Sequence, residues 1–139
     1  MMSLFALVAA AALQAGAPSA PPVRTVDKGP MSELSAPRQV SIADRDAWGA
    51  LWKTHAPGRP APEVDFTRET VVAVFLGTRP TAGFAVEIVG VREDGGNVVV
   101  QYRETRPSRD SIAAQVLTAP YHVAAIPRRA GTITFERLT

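Results

Sequence analysis

Six consecutive apolar residues, Val71-Val-Ala-Val-Phe-Leu76, constrain this chain more than any other feature. A strand with one wet face alternates apolar and polar residues. An unbroken run of this length, rich in β-branched side chains, suits a central strand covered on both faces. The segments around it carry period 2. In Ala85–Arg92, Val86 and Ile88 share one face, and Glu87 and Val89 the other. In Val98–Glu104, Val98, Val100 and Tyr102 oppose Val99, Gln101 and Arg103. Between these two lies Glu93-Asp-Gly-Gly-Asn97, a hairpin signal because glycine supplies the positive φ that a tight turn needs. Tyr121–Ile126, bounded by Pro120 and Pro127, and Thr132–Glu136, after Gly131, bring the strands to five. Val23–Lys28 is compatible with a further, short edge strand.

Upstream the period changes to 3.6. Trp48, Leu51, Trp52 and His55 fall at i, i+3, i+4 and i+7 of Asp44–His55 and so share one helical face. Ser41 or Asp44 caps the first turn, Asp46 suits its positive end, and Pro57, Gly58 and Pro60 stop the helix. The two tryptophans read as the face packed on a sheet rather than as an aromatic binding box. Sequential strands joined by short turns pair antiparallel. The fold expected is therefore α+β: one N-terminal amphipathic helix packed on a mostly antiparallel sheet of about five strands.

Leu4–Leu13 is a run of ten apolar residues. It falls short of the roughly 20 that span a bilayer as a helix, and it suits the core of a signal peptide. Small residues follow at Ala15, Gly16, Ala17, Ser19 and Ala20. We read 1–19 as a signal peptide or N-terminal anchor, 20–37 as a Pro-rich spacer and 38–139 as one β-rich domain. The expected location is outside the cytoplasm, periplasmic or secreted, with membrane contact only if the leader stays uncleaved. Cysteine is absent, which excludes disulfides, zinc–thiolate sites, a Cys nucleophile and a lipidated N-terminal Cys. Net charge is only +2, no basic run exceeds Arg128-Arg129, and no aromatic ladder interleaves the arginines. That pattern argues against nucleic acid as a partner.

Signs of catalysis are sparse. Of the two histidines, His55 ends the helix, where a cation suits the dipole. His122 sits on a strand, on the face opposite Tyr121 and Val123, and reads as a surface or hydrogen-bonded residue. His-Glu-x-x-His and Gly-x-Ser-x-Gly are both absent, and Ser108 and Ser111 near Asp110 read as turn chemistry. We expect no catalytic residues, no metal and no cofactor. One loop stands apart. Gly77–Phe84 joins the two best strands and carries Arg79, Pro80, Thr81, Ala82, Gly83 and Phe84, a stiff segment with an apolar end. Those six residues are the candidate partner-binding site, since loops held by rigid strands tend to carry binding. The alternative is a plain structural hairpin with Phe84 packed inward.

The order of these motifs resembles the C-terminal domain of the PrcB protease-complex subunit family. The resemblance rests on Asp65-Phe66, Val71–Gly77, Pro80-Thr-Ala-Gly-Phe84, Val98-Val-Val, Glu104 with Pro107, and Leu117-Thr-Ala-Pro-Tyr-His-Val123. Trp48–His55 is similar to that family's helical lead-in. The resemblance implies an exported, non-enzymatic interaction domain, an accessory or stabilising subunit of a secreted or surface protease complex. Its partner would be a protein, a secreted protease among the candidates. Arg79-Pro-Thr-Ala-Gly-Phe84 is also similar to the Asn-Pro-Thr-Thr-Gly-Phe/Tyr loop of chagasin-type protease inhibitors, with Arg79 and Ala82 departing from it. The alternative function is thus a chagasin-like inhibitor acting through 79–84.

Overall fold

The structure, a computed structural model, describes residues 20–139; the leader read at 1–19 lies outside them. In chain order the elements are β1 (Arg24–Gly29), β2 (Arg38–Ile42), α1 (Arg45–His55), β3 (Glu69–Phe75), β4 (Ala85–Asp94), β5 (Asn97–Thr105), β6 (Tyr121–Pro127) and β7 (Ile133–Leu138). The apolar run sets the plan. Val71 to Phe75 are all buried because β3 is an inner strand of a four-stranded sheet, β1-β6-β3-β2, with material packed on both faces.

One face meets a second sheet, ordered β4-β5-β7. Val72, Val74, Ala124 and Ile126 from the first sheet interdigitate with Val86, Ile88, Val91, Val98, Val100 and Tyr102 from the second. The other face presents Val71, Ala73, Phe75, Tyr121 and Val123 to Trp48, Leu51 and Trp52 of α1. Asp44 caps α1 by accepting from the Ala47 amide at 2.8 Å, and each indole finds a carbonyl. Trp48 Nε1 donates to Pro62 at 2.9 Å and Trp52 Nε1 to Arg59 at 2.8 Å, so the Pro-Gly segment after the helix satisfies both rings.

This arrangement corrects the expected α+β fold. The described residues are mostly β, with seven strands in two sheets of four and three and one short helix. All five strands expected from periodicity form, but they do not form one sheet. The links 76–84, 106–120 and 128–132 each cross between the sheets, so of the five strands expected only β4–β5 form a hairpin. β7 runs parallel to β5, and β6 is the antiparallel neighbour of both β3 and β1. Period 2 shows that a strand has two unlike faces; it does not say which strand lies beside it.

The stretch read as a spacer joins the sheet as well. β1 pairs with β6, and its flanking prolines, Pro21, Pro22 and Pro30, fall outside the paired residues, where no ladder donor is lost. β2 escapes the periodicity because Arg38, Gln39 and Ser41 are exposed and only Val40 and Ile42 turn inward on this short edge strand. A bulge in β4 between Ile88 and Gly90 leaves Val89 outside and returns Val91 to the core.

Candidate functional site

The six loop residues singled out above are held at one end of the sandwich. Arg79 forms a two-way backbone bridge with Thr118, its amide donating at 2.7 Å and its carbonyl accepting at 3.0 Å. Thr118 Oγ1 donates to the Thr81 carbonyl, and the Ala82 amide donates to Ala114. Gly83 has φ +95°, and a Cβ there would stand 2.9 Å from the Pro107 ring, so glycine is required twice over. Phe84 is half-buried beneath the Arg79 guanidinium, 5.8 Å from its ring centroid, while Pro80 stays exposed. The loop is therefore one layer of a double-layered end whose other layer is 106–120.

That second layer carries most of the large apolar side chains left in water. Ile112 is fully exposed, and Val116 and Leu117 are more than half exposed. Met31, 59% exposed, lies beside them through the backbone bridge of Met31 with Ala119. The segment gained no such role in the sequence reading, because Ile112, Val116 and Leu117 follow neither period.

A polar cluster beneath the helix was equally unforeseen. His55 is 1% exposed, with Nδ1 2.7 Å from Ser32 Oγ and Nε2 3.1 Å from Asp27 Oδ2. Asp27 accepts also from Tyr121 at 2.9 Å and from Arg59 at 2.9 Å. Burial alone would push the Asp27 carboxyl up, but the donors Arg59, His55 and Tyr121 outweigh it and hold the group below the usual carboxylate range. Burial, together with Asp27, pushes the Tyr121 phenol above its usual range and keeps it a donor. With Asp27 ionised, Nε2 is the ring's donor toward the carboxylate, and Nδ1 pairs with the Ser32 hydroxyl.

A serine, a histidine and an aspartate in this order are the relay of a hydrolase. Here the relay is closed. Ser32 is 8% exposed, and its oxygen already accepts from the Leu34 amide. The Ser32 amide donates to Ala119 and the Glu33 amide to His55, so the neighbouring donors that would hold an oxyanion are engaged. The cluster ties β1, the chain after it and α1 to the sheet. Asp27, Ser32 and His55 are separated by unrelated sequence, and no motif spacing joins them.

His122 does the corresponding work on the opposite face. It is 2% exposed; Nδ1 accepts from the Ile88 amide at 2.8 Å, and Nε2 lies 2.9 Å from Thr25 Oγ1. The ring thus covers a free edge amide of β4 and joins the two sheets. Burial lowers its pKa to about 4, assisted by Lys28, so it is neutral at pH 7.

Two clefts remain. One, of about 710 Å³, lies at the start of α1 among Arg24, Arg45, Trp48, Asp65, Phe66 and Glu69. The other, of about 430 Å³, opens between β2 and the second sheet. Among the described residues no group of His, Asp and Glu has the geometry of a metal site, and no helix is long and apolar enough to cross a membrane.

Residues 70–127 match the model of the PrcB C-terminal family. Searches of curated proteins and of solved structures returned no match. The matched stretch runs from β3 to the end of β6 and includes the loop 79–84, the exposed segment after β5 and His122. Over these residues the chain is similar to the PrcB C-terminal family, as the order of its motifs implied.

Proposed function

We propose that this protein is an exported, non-enzymatic interaction domain that serves as an accessory or stabilising subunit of a secreted or surface protease complex. The observation that carries the reading is the end of the sandwich where Ile112, Val116, Leu117 and Met31 are exposed together. Apolar side chains grouped on a rigid frame gain by meeting a partner, at about 25 cal/mol per Å² of apolar area removed from water. The two layers are bonded to each other, so little ordering is needed on docking. The family relation supports the protease context, and the apolar run at 4–13 supports export. The chagasin-like reading has less support: a loop pinned to 114–118 along its length offers only Pro80 and Gly83 as a free tip.

The test is capture of the tagged protein from the exported fraction of its native host, with mass spectrometry of the complex. The expected result is an N-terminus between Ala17 and Val23 and a co-purifying exported protease. A cytoplasmic protein that retains Met1 and brings down no protease would overturn the proposal.

A further inference from the structure

The cleft of about 430 Å³ between β2 and the second sheet has an unusual charge balance. Arg38, Arg79 and Arg137 line it, and Arg106 lies beside it, paired with the same carboxylate. The one acid among these lining residues is Glu104, whose side chain is 4% exposed. Arg79 reaches it at 3.2 Å and is anchored further by donating to the Leu76 carbonyl at 2.9 Å. Arg106 and Arg137 approach only to 3.7 and 3.5 Å, beyond a good hydrogen bond. Arg38 makes no ion pair among the described residues. One buried carboxylate thus orients a group of guanidinium forks without saturating them, and three positive charges are left over.

The cleft also borders an open sheet edge. β2 pairs with β3 on one side only, and both Arg38 and Gln39 of β2 line the cleft. Gln39 is fixed there by donating to the Tyr102 hydroxyl at 2.6 Å. Guanidinium forks match carboxylates in two-pronged geometry, and a free strand edge accepts an extended peptide through main-chain hydrogen bonds. We infer that this cleft binds an acidic, extended peptide segment of a protein partner, its carboxylate entering between Arg38, Arg79 and Arg137 while its backbone adds to β2. The inference rests on the interaction-domain reading above and supplies the chemistry of one contact.

The experiment is an amide-resonance titration of the purified full chain with a blocked hexaglutamate peptide, alongside hexaglutamine and inorganic phosphate. Saturable shifts are expected at Arg38–Ile42 and Leu76–Arg79 with hexaglutamate alone. Affinity should fall about tenfold or more in Arg38→Gln/Arg137→Gln, and likewise near 1 M salt, where charges are screened beyond about 3 Å. Arg38→Gln alone, which breaks no ion pair, gives a variant certain to test the site if the double change disturbs folding; it should weaken binding by at least a few fold. Equal shifts with hexaglutamine, equal shifts with phosphate, or unchanged affinity in the folded variants would each overturn the inference. Host protease capture that persists alongside such a failure would remove this contact and leave the interaction-domain proposal standing.

Discussion

Two regions of this molecule invite opposite misreadings. The cluster Asp27–Ser32–His55 has the residues and the order of a hydrolase relay, yet Ser32 Oγ, both His55 ring nitrogens and Asp27 Oδ2 are already engaged, and Ser32 and His55 are buried. The end formed by 79–84 and 106–120 has no reactive constellation, yet it holds Ile112, Val116 and Leu117 in water on a hydrogen-bonded frame. Residue types alone would place function in the first. The function proposed above belongs to the second, on the ground that a group with its partners already in hand stabilises a fold, whereas an unpartnered surface can still gain from binding.

The comparison breaks most visibly at the cover of the closed region. Trp52, 3% exposed, packs edge-on to His55 at 5.0 Å and shields it from water. Trp52→Ala should cost about 3–5 kcal/mol in denaturant unfolding, as large-to-small core changes do. A fully stable variant would mean that the helix face is not core.

Acid should act nearly as strongly, through the other buried ring. The His122 pKa is about 4 in the folded protein against an ordinary value near 6.5, so the unfolded chain takes up the proton first. Its contribution is fully present above pH 6.5 and is lost as pH falls to 4, amounting to about 3 kcal/mol over that window. Asp27, held below its usual range, adds a loss that begins only below the ordinary carboxylate pKa. Stability measured against pH, with His122→Gln as the comparison, should show the slope between pH 6.5 and 4 in the parent and its flattening in the variant. An equal slope in both would assign the effect elsewhere.

Much of this fold was legible in the sequence because its strands and helix are patterned by burial. Val71–Leu76, the Gly95-Gly96 turn and the stripe Trp48–Leu51–Trp52–His55 each follow from one local rule, and each holds in the structure. Sheet membership was not legible. The chain crosses between layers at 76–84, 106–120 and 128–132, and a crossing link carries the same turn residues as a hairpin. The edge strand β2 was the other blind spot: it turns only Val40 and Ile42 inward, too few for periodicity to register. Of the candidate loop, the need for Gly83 came from its turn chemistry, but its bonding to Ala114 and Thr118 depends on contacts between distant segments. The same is true of Ser32 and Asp27, which no local rule brings to His55.

The most direct measurement sets the two regions side by side in the protease-capture assay, with unfolding free energies taken on the same samples. Ser32→Ala removes a buried hydroxyl from His55 and should lower stability by about 1–2 kcal/mol while leaving capture intact. Val116→Ser/Leu117→Ser alters exposed side chains, so its stability should stay within about 0.5 kcal/mol of the parent while capture is lost. That pairing is the result the account predicts. Loss of capture in folded Ser32→Ala, with capture retained by the 116/117 variant, would contradict it and return function to the closed cluster.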